Sequence, residues 1–256
     1  MKIILPVYLT LAFASLVHSQ TLREQLEARE AAGSKKVTPE VKEEFAKGIA
    51  SIKVAQIVEG AKKVGDQAPD FTLKNAAGKS IRLASELKRG TVVLTWYRGG
   101  WCPYCNIAMA AMQKELPAIK KTGATLIAIT PELPDKTLTT KEKNGLDFEV
   151  LTDLNHQAAR QYGLLFKLTP GVEKLYGKFF DLKKYNGEDA GTDTLPLAAT
   201  YIIGQDGKIL WAFLHHDYHM RAEPKEIVQF LNNLNEESSK NGEQGGADKP
   251  ATAPGR

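Results

Sequence analysis

The sequence is poor in cysteine, with two in the whole chain, and it has only four methionines and five histidines. Two cysteines close at most one disulfide, so a multiply stapled secreted fold is excluded. A structural zinc site wants four ligands. No second Cys-x-x-Cys and no histidine pair near the first supplies the rest. A surplus of one charge is also missing: 34 Lys and Arg stand against 30 Asp and Glu, a net +4. Lysines alternate with glutamates through the first hundred residues, so there is no nucleic-acid footprint. After residue 17 no apolar run approaches the length of a membrane span. No internal repeat is present. What remains is a globular composition, 43% hydrophobic and 25% charged. A chain of 256 residues buries a sizeable core as one domain with additions or as two small domains.

The two ends read differently from the middle. Lys2 followed by the apolar stretch Ile3 to Val17 and by Val17-His18-Ser19 resembles a signal peptide cut near Ser19. Its loss would leave a charge of +3 and place the mature chain, periplasmic or secreted, in an oxidising compartment. From Glu236 the chain is polar, with Gly242, Gly245, Gly246, Pro250 and Pro254, and reads as a disordered tail, 236–256.

Between them, residues 20–62 read as a helical extension. Thr38-Pro39 is a start signal, and Val41, Phe45, Ile49 and Ile52 follow at helical spacing. That apolar face suits either the main domain or a second copy in a homodimer. The main domain, 63–235, opens with two strands joined across Asn75-Ala76-Ala77-Gly78. Strand and helix then alternate: strand 91–97, helix 102–121, strand 124–130, helix 134–143, strand 148–151, helix 155–162. This is the pattern of an α/β sandwich with parallel strands. Residues 164–195 break the rhythm and read as an inserted excursion, either a partial lid or plain surface. A late hairpin, 199–203 and 208–213, and a closing helix, 223–234, complete the domain.

The cysteines sit in Trp101-Cys102-Pro103-Tyr104-Cys105, after the strand 91–97 and at the start of the helix. N–H groups at a helix start stabilise a thiolate, so Cys102 is expected to have a lowered pKa and to act as nucleophile. Cys105, one turn on, is placed to attack whatever Cys102 becomes bonded to and to close a disulfide. A structural disulfide, a zinc site and an inert buried pair are the duller alternatives. So short a loop makes a poor staple, and Gly99, Gly100 and Pro103 argue for exposure.

Three segments resemble one family. Gly65-Asp66-Gln67-Ala68-Pro69-Asp70-Phe71-Thr72-Leu73 resembles the opening of alkyl hydroperoxide reductase and thiol-specific antioxidant proteins, the peroxiredoxins and their thioredoxin-fold relatives. Trp96 to Asn106 resembles the redox motif of the peroxiredoxin-like branch, and Thr200-Tyr201-Ile202-Ile203 with Asp206-Gly207-Lys208-Ile209 is similar to its late hairpin. The resemblance covers roughly residues 63–234. It implies an α/β thioredoxin-like fold, a central mixed sheet flanked by helices. It also implies a thiol peroxidase in which Cys102 becomes a sulfenic acid and Cys105 condenses with it. An external dithiol would be the reductant, with no cofactor and no metal. An exported thiol–disulfide oxidoreductase acting on protein disulfides is the alternative, and a non-catalytic binding module on the same fold is the third reading.

The departures from the family pattern are specific. In Pro-x-x-x-Thr-x-x-Cys, Gly99 occupies the threonine position and Thr95 the proline position. Ala198 stands where the family arginine, or the cis-proline of exchange proteins, would fall; Pro196 is two residues earlier. Arg98 is therefore the candidate catalytic cation beside Cys102, with Arg221 a second choice. Trp101, Tyr97 and Gly99 are the candidate substrate-binding residues, the two rings walling the site. His215, His216 and His219 follow a strand end and read as exposed surface rather than as metal ligands. Asp153 reads as a helix cap ahead of Asn155 or as a turn residue, not as an acid catalyst.

Overall fold

The computed structural model describes residues 20–188 and 193–244. The expected signal segment, 1–19, and residues 245–256 of the tail lie outside the described residues. The extension forms α1 (Leu22–Ser34), α2 (Pro39–Val54) and the single turn α3 (Ile57–Gly60). A capping box opens α1: the Thr21 hydroxyl accepts the Glu24 N–H, and the Glu24 carboxylate accepts that of Thr21. The next two N–H groups, of Leu22 and Arg23, donate to Glu223 at 3.2 and 3.3 Å. A carboxylate at a helix N-terminus thus fastens the extension to the far end of the chain. The Thr38-Pro39 signal starts α2 as expected, with the Thr38 hydroxyl accepting the Val41 N–H. The apolar face of α2 docks on its own chain: Ile52 is buried, and Phe45 lies 5.8 Å from the Tyr176 ring.

The domain follows in the order β1 (Thr72–Asn75), β2 (Ser80–Arg82), α4 (Leu83–Leu87), β3 (Val92–Trp96), α5 (Pro103–Lys121), β4 (Thr125–Thr130), α6 (Pro134–Lys143), β5 (Glu149–Thr152) and α7 (Gln157–Gln161). After these come β6 (Leu165–Lys167), α8 (Pro170–Phe179), α9 (Leu182–Asn186), β7 (Thr194–Pro196), β8 (Thr200–Ile203), β9 (Ile209–Phe213) and α10 (Pro224–Gln244). Seven of the described strands form one sheet in the order β2-β1-β5-β4-β3-β8-β9. The β3–β4 and β4–β5 pairs are parallel and the others antiparallel, so the sheet is mixed. Every residue of β3 is buried, as expected for a central strand covered on both faces. Its carboxyl end delivers the loop that carries the cysteines, the position where open α/β sheets place their sites.

Asp153 does cap a helix: its two carboxylate oxygens accept the N–H groups of Ala158 and Ala159 at 3.2 and 2.9 Å. One expectation, the disordered tail, needs correction, and the described residues of the excursion, 164–188 and 193–195, carry elements of their own: β6 and β7 pair, and the Thr169 hydroxyl caps α8, where Pro170 holds the first turn. That is the same Thr-Pro signal that starts α2. The polar stretch from Glu236 does not leave the helix; α10 continues to Gln244. Nothing before Gly242 interrupts a helix there, and the hydroxyls of Ser238 and Ser239 donate back to the carbonyls of Leu234 and Asn235.

Candidate active site

Cys102 is the N-cap of α5 and Cys105 lies in its first turn; both are free thiols, 1% and 0% exposed. The motif is therefore not the open loop its glycines suggest. Its covering comes from α8 and from the chain after β9. Only Cys102 borders the large cleft of about 620 Å³ between the N-terminal helices and the domain. Val37, Phe45, Ile49, Trp101, Tyr104 and Phe180 give the cleft apolar walls, and Arg29 and Lys42 stand at it as well. The volume is in the range of roughly 300–1,000 Å³ usual for small-molecule sites.

Arg98 is the cation of the first thiol. It is 3% exposed, and its Nη2 donates to Cys102 Sγ at 3.1 Å. The other terminal nitrogen, Nη1, donates to the Tyr176 hydroxyl at 2.7 Å. The Tyr218 ring covers the guanidinium face at 4.1 Å, with Trp101 at 5.3 Å. Burial alone would disfavour the charge, but the facing sulfur, Cys102, outweighs it and holds Arg98 protonated. Arg221 takes the second thiol: its Nη2 donates to Cys105 Sγ at 3.5 Å. Its Nη1 is tied to the carbonyls of Met220, at 2.8 Å, and Tyr218. The two arginines thus divide the two sulfurs between them.

The titration differs from the expectation for Cys102. Burial, then the hydrogen bond with Cys105, push the Cys102 thiol well up against the pull of Arg98. At Cys105 burial is outweighed by the hydrogen bond from Cys102 and by the Arg221 and Arg98 charges, and its pKa falls well below the ordinary thiol value. The reason is sharing. Two buried sulfurs in contact carry one negative charge between them, so the first proton leaves easily and the second with difficulty. As the N-cap, Cys102 accepts no hydrogen bond at its sulfur from the N–H groups of α5, so the helix start does not single it out.

The loop that presents Cys102 is held from below by Glu132, which is wholly buried. Glu132 accepts the Gly100 N–H at 2.9 Å, the Tyr97 hydroxyl at 3.1 Å and the Thr140 hydroxyl at 3.4 Å. Burial raises its pKa, and the Gly100 and Tyr97 donors pull it back. Gly99 has φ +143°, and a Cβ there would stand 2.3 Å from Trp101 Nε1, so the loop needs glycine at this position.

Of the expected site residues, the structure brings together Cys102, Cys105, Arg98, Arg221 and Trp101. Tyr97 is a correction: its ring is buried and its hydroxyl points to Glu132, because it follows a strand covered on both faces. Gly99 shapes the loop and does not border the cleft. Ala198 is buried before β8, and Pro196 pairs with Leu165 in the small sheet, away from the cleft. The histidines are part-buried rather than exposed. His219 packs on Tyr104 at 4.6 Å and pairs with Asp217 at 2.7 Å, and His215 stacks on His216 at 4.5 Å. Glu132, Tyr176 and Tyr218 were missed. A buried acid after a strand, a tyrosine in the excursion and another in the chain after β9 carry no local signal; only folding collects them.

A buried dithiol at the start of a helix, on a mixed thioredoxin-like sheet with a guanidinium on each sulfur, defines a thiol oxidoreductase of the thioredoxin fold. The AhpC/TSA family model matches residues 64–212, more than half of the chain, and the chain belongs to that family as a peroxiredoxin-like oxidoreductase. Peroxiredoxin Bcp of Escherichia coli strain K12 is 27% identical over 161 residues, covering 60% of this chain and 91% of that protein. In fold, the chain is similar to peroxidoxin BcpB from Mycobacterium tuberculosis, with TM-score 0.53, 21% identity, and 67% and 97% of the two chains covered. It is also similar to reduced Plasmodium vivax 2-Cys peroxiredoxin, with TM-score 0.54, 16% identity, and 70% and 84% covered. The matched region stops short of Tyr218 and Arg221 and leaves out α1 and α2, so part of the site's enclosure comes from outside it.

Proposed function

We propose that this chain is a thiol peroxidase in which Cys102 attacks the peroxide and Cys105 resolves the product. The observation that carries the reading is the Arg98 guanidinium, 3.1 Å from Cys102 Sγ at the side of the pair that borders the cleft. A cation at that point stabilises the attacking sulfur and the negative charge that develops on the leaving oxygen. It supplies what the missing family arginine would supply. The family membership and the peroxiredoxin relatives support peroxide over protein disulfide as substrate.

The lowered first ionisation of the pair and its raised second favour a form with one charge and one proton. Transfer of the shared proton from Cys102 to Cys105 gives the attacking thiolate. The sulfur takes one peroxide oxygen and becomes a sulfenic acid; the other oxygen leaves as water or an alcohol. Cys105, again a thiolate, attacks the sulfenic sulfur and closes the disulfide as the sulfenic oxygen leaves as hydroxide, which takes a proton from solvent to become water. An external dithiol protein or small thiol then reduces it. The apolar cleft walls admit organic hydroperoxides beside hydrogen peroxide.

The test is stopped-flow oxidation of the reduced protein, followed by tryptophan fluorescence, with hydrogen peroxide and with a bulky organic hydroperoxide. Oxidation orders of magnitude faster than a free thiol, and lost in Cys102→Ser, is the expected result. A rate equal to that of a free thiol would sink the reading and favour disulfide exchange. We also infer export after cleavage near Ser19, on the strength of Lys2 and the apolar run behind it. Intact-mass measurement of the protein from its native compartment is expected to give a chain starting at Gln20; a retained Met1 would overturn this.

A further inference from the structure

We infer that the Tyr176 hydroxyl, delivered by α8 from the excursion 164–195, is a catalytic group: it binds the peroxide and gives a proton to its leaving oxygen. The inference rests on the peroxidase reading above and extends it. The starting point is a gap. Gly99 stands where the family's threonine hydroxyl would hold the peroxide, and Gly99 has no side chain to offer. The loop therefore carries no hydroxyl at that position.

Folding puts another hydroxyl beside the same sulfur. One guanidinium, that of Arg98, touches both Cys102 Sγ, at 3.1 Å, and Tyr176 Oη, at 2.7 Å, through its two terminal nitrogens. The two terminal nitrogens of the fork share one carbon, so the sulfur and the hydroxyl occupy neighbouring positions around a single rigid guanidinium. Both residues border the cleft, so a peroxide entering there comes up against the side chains of Cys102 and Tyr176.

The hydrogen-bond inventory is unfinished in the way this role requires. A tyrosine hydroxyl can accept and donate. Tyr176 accepts from Arg98, so its own proton is free to donate, and it meets no acceptor among the described residues. Arg98 Nε is also buried without a partner among the described residues. Two donors at a buried site without acceptors are costly unless something arrives to accept from them. Burial raises the Tyr176 pKa, so the hydroxyl keeps its proton at neutral pH.

The ring is held in place for this. It meets Phe45 of α2 at 5.8 Å, Trp101 at 5.3 Å and Phe180 at 5.8 Å. In the reaction the Cys102 thiolate attacks the protonated peroxide oxygen, forming the S–O bond as the O–O bond breaks. Sulfur is oxidised to the sulfenic acid, which keeps that oxygen and its proton. The departing oxygen takes the electron pair and the Tyr176 proton and leaves as an alcohol, or as water from hydrogen peroxide. The phenolate, faced by Arg98, recovers through solvent the proton that Cys102 gave up. The excursion is then part of the catalytic machinery rather than a lid.

The experiment compares Tyr176→Phe with the wild type in two reactions of the reduced protein: oxidation by hydrogen peroxide and alkylation by iodoacetamide. Alkylation reads thiolate reactivity but needs no proton for a peroxide oxygen. The phenylalanine keeps every ring contact, and an unchanged melting temperature confirms folding. The expected result is peroxide oxidation slower by on the order of 10- to 100-fold, with alkylation within about twofold of wild type. An unchanged peroxide rate would overturn the inference. So would an equal fall in both reactions, which would make Tyr176 only a support for Arg98. A wild type no faster than a free thiol would fail at the earlier step, in the peroxidase reading itself.

Discussion

The two thiols are three residues apart, yet they occupy different surroundings. Cys102 takes its cation from Arg98, four residues earlier on the same loop, and borders the cleft. Cys105 takes its cation from Arg221, 116 residues away, and does not border the cleft. The contrast separates two tasks that a Cys-x-x-Cys motif joins in sequence. One sulfur is placed to meet a substrate, the other to hold the shared charge until it is needed. Arg98 is buried between Cys102, Tyr176 and the Tyr218 ring, whereas Arg221 is half-buried and tied to backbone carbonyls. The first cation is therefore fixed by side chains that only the fold assembles, and the second by the local course of its own chain.

The strongest way to sharpen the comparison is to remove one sulfur at a time. Cys105→Ser is expected to keep the first oxidation and lose the second, so a sulfenic acid accumulates and is trapped by dimedone as a mass increase on Cys102. Cys102→Ser is expected to show no adduct. An adduct on Cys105 in the Cys102→Ser protein would reverse the roles assigned here.

Removing the cations comes next. Arg98→Met is expected to slow peroxide oxidation by about 10²–10³-fold, the size found when a preorganised donor to a developing oxyanion is lost. Arg98→Lys should recover little of this, because an ammonium cannot reach the sulfur and the Tyr176 hydroxyl with one planar fork. Arg221→Met is expected to cost about tenfold or less in that step and to move the thiolate absorbance titration to higher pH. An Arg221 effect as large as that of Arg98 would erase the distinction between the two sulfurs.

The smallest effect is on stability. The first ionisation of the pair lies below the ordinary thiol value of about 8.5, so the unfolded chain binds more protons over that interval and stability rises with pH. The second lies above it, so beyond pH of about 8.5 the folded chain holds the extra proton and stability falls. Thermal midpoints of the reduced protein should therefore carry a maximum in that region. The variant with both cysteines changed to serine should lack it. A maximum that survives the double substitution would assign it to other groups.

Much of this was legible in the residues. Thr38-Pro39 announced α2, the apolar run 91–97 announced β3, and the motif at its end announced the thiols. In each, a few adjacent residues suffice, because caps, pleats and turns are set by local backbone chemistry. The same kind of signal stood at Thr169-Pro170 and starts α8, inside the excursion that breaks the strand–helix rhythm. Arg98 was legible because it shares a loop with Cys102. Tyr97 was misplaced because alternation along a buried strand end does not say which layer a ring enters.

By itself, then, the sequence determined the order of elements, the mixed α/β class, the dithiol at a helix start and the nearer arginine. Only the tertiary structure decided which sulfur faces the cleft, that one charge is shared across the pair, and that Glu132, Tyr176, Tyr218 and Arg221 converge on it. Local patterns follow from the geometry of a few consecutive residues. Convergence depends on how α2, α8 and the chain after β9 pack over the carboxyl end of β3, and groups as far apart as Arg98 and Tyr176 carry no mark of that contact until the core has formed.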